Sequence, residues 1–506
     1  MELKEIPWVI AQAGGKGTRL KHYTWNKPKC LLSIAGQPLI YHLFERFSSA
    51  NFLVIGDYLH EVLEKYLRVF PPQASVQLIR AKTKGTLSGI DQALTHIPEH
   101  EPFLLVWCDL LLEEVPNCQI GEKNWIGLSR SFNCRWSYDK AGTCVDQPST
   151  ERGIAGFFVF QNKAVLKDIP SSGEYVRWLS KKPIQFDEFF LDNTYELGNL
   201  DNITQYQQRK LVSRFFNSVE ISGNRVIKKA RVQEFEQLID RERNWYHVVH
   251  SLGFNRIPTL IAEHPMTISR ILGSHPFELK VDFQGKIDIL TDIFQTLTRL
   301  HSCAKKVADP KVIMEVYLQK TYSRVNNVAQ LIPFFDQPTI QVNGFLCRNP
   351  FHPRHENWFS QLVDEIQVDE FTLIHGDSTF SNILVDDHNK AWLIDPRGYF
   401  GSSLLYGDPM YDWAKLYYSV VGDYDCFNRR QFQLQITGKQ VDIQIKSNEW
   451  KDLEPMFIEK IPTQMSVIRL LHALIWLSLS GYVKDDYDSI LASFYNGLFW
   501  LESVVK

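Results

Sequence analysis

The sequence predicts an α/β protein built from more than one domain, and three observations carry that reading. Its 506 residues are more than one hydrophobic core usually serves. From Trp8 to Leu110, apolar strand-like runs alternate with helix-like segments, the pattern of a parallel sheet with helical crossovers. Two polar motifs, each delivered by an apolar strand, stand at 13–19 and 375–395.

Composition narrows the class. Hydrophobic residues make up 44% and charged residues 22%, an ordinary globular balance. A net charge of −3 advertises neither nucleic acid nor an anionic membrane. Eight cysteines (Cys30, Cys108, Cys118, Cys134, Cys144, Cys303, Cys347 and Cys426) form no C-x-x-C pair and read as reduced thiols of a cytoplasmic protein. The first residues lack the apolar core of a signal peptide. Val467 to Val483 contains Arg469 and His472, falls short of the ~18 apolar residues of a membrane span, and reads as a buried helix. Small-molecule substrates, no nucleic acid and no membrane insertion are therefore expected; the oligomeric state, a homo-oligomer included, is left open.

The first element is the strand Trp8-Val-Ile-Ala-Gln, opening into Ala13-Gly14-Gly15-Lys16-Gly17-Thr18-Arg19-Leu. Glycines after a buried strand let backbone N–H groups approach a triphosphate, and Lys16 and Arg19 add positive charge. The loop has neither Walker A nor dinucleotide-fingerprint spacing. It is followed by Asn26-Lys-Pro28-Lys29 and by Gly36-Gln-Pro38-Leu-Ile. Together these segments resemble the nucleotidyltransferases that activate sugar phosphates and choline phosphate. The resemblance spans about the first 210 residues and implies a Rossmann-like α/β fold. It also implies that Arg19 and Lys29 neutralise the triphosphate as pyrophosphate leaves, a task for fixed cations.

A strand at Phe52–Ile55, a helix near Glu61 to Phe70 and a strand at Val76–Ile79 come next, then Lys84-Gly85-Thr86 leading a helix. By the resemblance, Gly85 and Thr86 meet the base and ribose. The strand from Pro102 ends in Asp109, at the carboxyl edge where open α/β sheets place ligands, and Asp109 is expected to hold metal. The resemblance assigns the partner carboxylate to Glu196 in Tyr195-Glu196-Leu-Gly-Asn199-Leu-Asp201, with Asp201 as the competitor; either could instead cap the following helix. The Glu-Lys-Pro triplet by which relatives grip a sugar phosphate is missing, and Lys140 or Arg152, flanking the strand Ile154–Phe160, are the substitutes. A Gln-rich stretch from Gln205 to Leu211 marks the boundary, giving domains 1–210 and 211–506.

Two strands around Ser222-Gly223-Asn224, from Arg214 onward, bring Lys228 and Lys229. Ile287 to His301 has helical apolar spacing, and His301 reads as packed or capping. The aromatics between Tyr317 and Phe359 read either as core or as a pocket lining. The strand Phe371-Thr-Leu-Ile then delivers His375-Gly-Asp377, Asn382 follows five positions later, and Asp395 ends the next strand. A base, an Asn and an Asp in this order are what phosphoryl transfer requires.

His-Gly-Asp-x-x-x-x-Asn with a downstream Ile-Asp-Pro resembles the aminoglycoside phosphotransferase and choline kinase family. The resemblance implies a two-lobed, protein-kinase-like α+β domain, with Asp377 as base and Asn382 and Asp395 as metal ligands. Lys228, with Lys229 as fallback, fits the lysine that holds ATP phosphates, and Glu242 its ion-pair partner. Asp412, in Gly407-Asp-Pro-Met-Tyr-Asp412, is expected to brace the active-site loop. A hairpin from Asn428 to Ile445 and helices from Pro455 to Val504 complete the chain. The two resemblances together imply Mg²⁺ at both sites, ATP, and a second NTP, with CTP or UTP favoured. They point to phosphorylation of a small hydroxyl compound followed by its coupling to a nucleotide for surface polysaccharide. The competing expectations are a kinase-like half that only senses a ligand and, last, an antibiotic-modifying enzyme.

Overall fold

The computed structural model describes residues 1–121, 123–209, 217–230, 236–461 and 464–505. The chain divides into two compact units, residues 1–212 with 484–488, and residues 213–483 with 489–506. The boundary expected at 210/211 and the first residues of the strand expected from Arg214 lie outside the described residues.

In the first unit, β1 (Trp8–Gln12), β2 (Asn51–Gly56), β3 (Ser75–Arg80) and β4 (Phe103–Trp107) are parallel, in the spatial order β4-β1-β2-β3. Their crossovers are α1 (Leu39–Arg46), α2 (His60–Val69) and α3 (Ile90–His96). Val9, Ile10 and Ala11 are fully buried, which is why β1 reads as an unbroken apolar run rather than an alternating one. The alternation of strands and helices foretold this half of the sheet. It did not foretell the rest, which is mixed. A short strand, β5 (Leu110–Leu112), follows Asp109 and pairs antiparallel with β9 (Thr194–Glu196). Between them, β6 (Asn124–Ser129), β7 (Gly153–Phe160) and β8 (Phe186–Phe190) extend the main sheet, with β7 antiparallel to both β4 and β6. The β5–β9 pair sets Asp109 and Glu196 side by side, since Glu196 pairs with Leu110.

In the second unit, β10 (Asn217–Ser222), β11 (Arg225–Ala230), β12 (Leu260–Ala262) and β13 (Met266–Ser269) form an antiparallel sheet in the order β10-β11-β13-β12. Helix α4 (Glu236–Ser251) follows β11. The larger, helical part starts with α5 (Phe283–Ser302), capped by Asp282 accepting from the Gly285 N–H at 2.8 Å. Its apolar stripe Ile289, Leu290, Ile293, Phe294, Leu297 and Leu300 is buried, as the spacing required. Helix α6 (Lys320–Val328) comes next, then β14 (Glu370–Leu373) and the hairpin β15 (Ile383–Val385) with β16 (Ala391–Leu393). Helix α7 (Pro409–Val420) starts on Pro409 with Asp408 as its cap. Strands Phe432–Thr437 and Gln440–Ile445 form the expected hairpin, and α8 (Met465–Ser480) is a buried helix. Among the described residues no helix is long and apolar enough to cross a membrane. All eight cysteines are free thiols.

Candidate active sites

In the first unit the glycine loop leaves β1 with the Ala13 N–H bonded to the Ile55 carbonyl of β2 at 2.8 Å. Gly17 has φ +63°, and a Cβ there would come within 3.3 Å of Lys29 Cβ, so the glycine lets the loop pack against Lys29. Gly14 is tight for a second reason: a Cβ would meet that of Asp57 at 2.9 Å. Gly15, Lys16 and Thr18 are exposed or nearly so, and Lys16 stands over the Tyr58 ring at 5.5 Å. Lys29 is 7% exposed and forms a close ion pair with Asp109. Burial opposes its charge, but Asp109 and Glu196 outweigh this and raise its pKa. Lys27 is committed elsewhere in the same unit, buried against Asp486 and, at 2.9 Å, Asp488.

Arg19 approaches Glu196 at 3.7 Å with its own side chain 68% exposed, the posture of a cation with capacity to spare. Burial, and then the neighbouring charge of Asp109, push the Glu196 carboxyl above its usual range. Asn202 fixes Glu196 through Nδ2 at 2.7 Å, and Asn199 caps the helix that follows, accepting from the Asn202 N–H at 2.9 Å. Expected residues Arg19, Lys29, Asp109 and Glu196 are thus brought together, while Asp201 lies in the first turn of the helix that follows. Sequence reasoning missed Gly198. A Cβ there would lie 1.9 Å from Glu196 Oε1, 2.8 Å from Lys29 Nζ and 3.0 Å from Arg19 Nη2. A glycine within Tyr195–Asp201 was the available signal.

Gly85 has φ +100°, and a Cβ would collide with the Gly173 carbonyl at 2.3 Å. Thr86 accepts from the Tyr175 N–H at 2.7 Å and donates to Glu174 at 3.3 Å, while its carbonyl receives the Gln12 amide. The pair therefore sits beside the end of β1, with the Thr86 side chain committed to the fold. Arg152, a candidate for the acceptor phosphate, is held by Glu188 at 2.7 Å.

In the second unit, Lys228 is 3% exposed and bonds both Glu242 of α4 and Asp395. Lys229 alternates to the exposed side of β11, as a strand requires. Asp395 has φ +55°, a conformation L side chains adopt rarely, and its N–H is held by the Tyr246 hydroxyl at 3.2 Å. Asn382 Nδ2 donates to the Asp377 carbonyl at 2.7 Å and to its carboxylate at 3.0 Å. Lys415 of α7 pairs with Asp377 at 3.0 Å. Burial would raise the Asp377 carboxyl, but Lys415 and then Arg397 overcome it and hold it well below the usual range.

The loop that carries Asp377 hangs on Asp412, which is fully buried. Its carboxylate accepts from the N–H groups of His375 and Gly376, both at 2.8 Å, and lies 3.0 Å from His301 Nε2. His375 in turn contacts the Ile394 carbonyl through Nε2 at 2.9 Å. Lys415, Arg397 and His301 were not singled out for this site in the sequence. Lys415 was legible, three residues after Asp412 and so on the same helix face. The rings of Tyr322, Phe335, Phe351 and Phe359 contact one another, with Phe359 buried and the other three half-buried.

The donor chemistry suits magnesium at both sites. Asp109 Oδ1 is buried and has no hydrogen-bond partner among the described residues, while Oδ2 serves Lys29. Glu196 lies beside it, and Asn382 and Asp395 offer hard oxygen donors in the second unit. Among the described residues there is no cluster of three or more His, Cys, Asp or Glu side chains that could hold a metal ion by itself. Magnesium on nucleotide phosphates takes one or two protein carboxylates and needs no such cage.

Two family models match successive stretches of the chain. Residues 9–115 match the MobA-like NTP transferase domain and residues 211–438 the phosphotransferase enzyme family. Among curated proteins, the bifunctional protein GlmU of Methanocaldococcus jannaschii is 28% identical over 110 residues, covering 21% of this chain and 26% of that protein. The mannose-1-phosphate guanylyltransferase catalytic subunit beta of Drosophila melanogaster is 26% identical over 167 residues, covering 32% and 42%. The chain therefore spans 26% to 42% of the length of these relatives. Among solved structures, HddC from Yersinia pseudotuberculosis complexed with GMP-PN is 18% identical, with a TM-score of 0.33 over 40% of this chain and 99% of that one. The inositol-1-phosphate CTP transferase from T. maritima is 17% identical, with a TM-score of 0.33 over 40% and 94%. The chain carries an NTP transferase domain followed by a phosphotransferase domain.

Proposed function

We propose that the chain is a bifunctional enzyme, with residues 211–506 phosphorylating a small hydroxyl compound and residues 1–210 coupling the resulting phosphate to a nucleotide. In the first reaction Asp377 takes the proton of the attacking hydroxyl. That oxygen bonds to the γ-phosphorus of ATP as the bond to the β,γ-bridging oxygen breaks, leaving ADP and a phosphate ester. In the second, an oxygen of that ester attacks the α-phosphorus of an NTP and pyrophosphate departs, with Lys29 and Arg19 meeting the charge that develops. The backbone of Ala13–Thr18 cradles the triphosphate, and Gly85 and Thr86 face the base through their main chain. Lys228, fixed by Glu242, orients the ATP phosphates. Mg²⁺, held by Asp109 and Glu196 in one site and by Asn382 and Asp395 in the other, would supply Lewis-acid neutralisation of phosphate oxygens.

The observation that carries this reading is that each unit gathers a full charge set in one place: Lys29, Asp109, Glu196 and Arg19 in one, and Lys228, Glu242, Asp395, Asn382 and Asp377 in the other. A ligand-sensing module has no use for a base and metal ligands together. The product would be a nucleotide-activated donor of the kind consumed in surface polysaccharide synthesis, with CTP or UTP as the favoured NTP. The test is pyrophosphate release with Mg²⁺ and CTP, UTP, GTP or ATP against sugar, polyol and amino-alcohol phosphates, together with ADP release from ATP and the parent alcohols. Release in both assays on one matched pair is expected; pyrophosphate without any ADP would return the second half to a sensing role.

A further inference from the structure

Around Asp377 the second unit concentrates positive charge that its own carboxylates do not balance. Lys415 reaches Asp377 from α7 at 3.0 Å. Arg397 is anchored by its N–H on the His375 carbonyl at 2.9 Å and by packing against Gly376, where an added Cβ would meet that of Arg397 at 3.0 Å. From α6, Lys320 stands 5.3 Å above the Tyr411 ring, which Lys415 also faces at 5.9 Å. One turn further on, Arg324 covers the Tyr482 ring at 5.2 Å and donates to Ser478 Oγ at 3.1 Å. Among the described residues, Lys320, Arg324 and Arg397 have no carboxylate within 4.0 Å. Asp408, at the head of α7, is committed to the Tyr317 hydroxyl at 2.7 Å and the Met410 N–H at 2.9 Å. Of these four cations only Lys415 has a carboxylate partner among the described residues.

Two neighbouring groups register the excess. Burial, with the like charges of Arg397, Arg324 and Lys415, brings Lys320 down to about 8 despite the phenol beside it. Burial would raise Tyr411, but Lys320, Lys415 and Arg397 together bring it to about 7. A half-buried, unpaired cation is costly unless something with the opposite charge binds there. The rings that could cage an ammonium ligand are already taken, since Tyr411, Tyr399 and Tyr482 each face a lysine or arginine of the protein itself.

Resting on the kinase reading above, we infer that the hydroxyl compound phosphorylated at Asp377 is itself a small anion, whose carboxylate or phosphate group is bound by Lys320, Arg397 and Lys415, with Arg324 at the outer edge. An amino alcohol would be repelled from the same place. The reacting hydroxyl keeps the chemistry given above: its oxygen bonds to the γ-phosphorus, its proton passes to Asp377, and ADP leaves.

The test uses the full chain with ATP and Mg²⁺ and follows ADP formation with glycerate, glycerol phosphate, glycerol, glucose, ethanolamine and choline as probes. Turnover of a hydroxycarboxylate or of a polyol phosphate is expected, and which of the two responds identifies the anionic group. Lys320→Met and Arg324→Gln should each raise the KM for that probe by about tenfold or more, the worth of a hydrogen bond to a charged group, while the KM for ATP stays put. Lys320→Arg should recover most of the loss. Turnover of a neutral or cationic probe in preference would overturn the anionic acceptor and leave the kinase reading intact. A rise in the KM for ATP alone would assign the cations to the nucleotide and overturn it too. A second measurement separates the two readings: calorimetric binding of the same anions to Asp377→Asn. Anion binding lost in Lys320→Met without any turnover would keep the anion site and sink the kinase; no binding of any anion together with no turnover of any probe would sink both.

Discussion

Lys29 in the first unit and Lys228 in the second both sit in the interior on a carboxylate, Asp109 and Asp395, but what stands behind each pair differs. Behind Asp395 there is a second layer. Glu242 shares Lys228, Tyr246 holds the Asp395 backbone, and the neighbouring loop hangs on Asp412. Behind Asp109 the layer is thin: one of its oxygens has no partner among the described residues, and Glu196, its neighbour, is steadied chiefly by Asn202. The first site is held largely by the groups that would act, whereas the second has further groups behind them that would not. A substitution in the second unit can therefore damage geometry without touching any reacting group, while in the first the same side chains carry support and chemistry together.

The largest effect comes from exchanging the reacting groups. Asp377→Asn should lower ATP-dependent phosphorylation by about 10²–10⁴-fold, the worth of a general base, and spare nucleotidyl transfer to a supplied phosphate ester. Lys29→Ala should do the opposite, costing about 10²–10³-fold in pyrophosphate release alone. If either change, in a folded protein, removed both activities, the two-site comparison would break.

Next is the support in the second unit. Asp412→Ala leaves the N–H groups of His375 and Gly376 buried without an acceptor, and should destabilise the chain by about 3 kcal/mol, at about 1–3 kcal/mol for each orphaned group. Urea unfolding measures it; a change within experimental error would mean that the loop is held by something else. In the first unit, Gly198→Ala forces Glu196 away from Lys29 and Arg19. It should cost about 10- to 100-fold in pyrophosphate release, the usual penalty of a small displacement, with ADP formation unchanged. An unaffected rate would show that Glu196 plays no part in the reaction.

The smallest effect is a pH slope confined to the second unit. Burial holds His472 neutral and lowers its pKa to about 3. The unfolded chain takes up a proton near pH 6.5 that the folded chain refuses. The stability is therefore fully present above pH 6.5 and is lost as pH falls toward 3, by at most about 1.4 kcal/mol per pH unit. His472→Gln, which keeps an acceptor for the Trp476 N–H, should flatten that slope between pH 7 and 5 in denaturant titrations.

Much of this was legible because the informative residues are adjacent in sequence. His375, Asp377 and Asn382 lie within one turn and its flanks, and the glycine loop follows β1 directly, so local pattern was enough to find them. The bond between Lys228 and Asp395 spans 167 positions and was not foreseen: the sequence paired Lys228 with Glu242 and gave Asp395 only to metal. The mixed half of the first sheet was not read, because β6, β7 and β8 are separated by long turn-rich stretches whose pairing no periodicity reveals. Gly198 and Arg397 escaped because their importance is spatial: one leaves room, the other stands beside a charge it does not neighbour in sequence.

Helix α7 holds both Asp412, on which the catalytic loop depends, and Lys415, which touches Asp377; α6 holds Lys320 and Arg324 and no part of that loop. The labour is divided between two helices. Descendants of this chain could exchange the side chains of α6 and acquire a new acceptor while the reaction itself went on undisturbed, whereas the same drift along α7 would end the activity before it changed it. The second unit is in that sense open to evolutionary retraining on one helix and closed to it on the next.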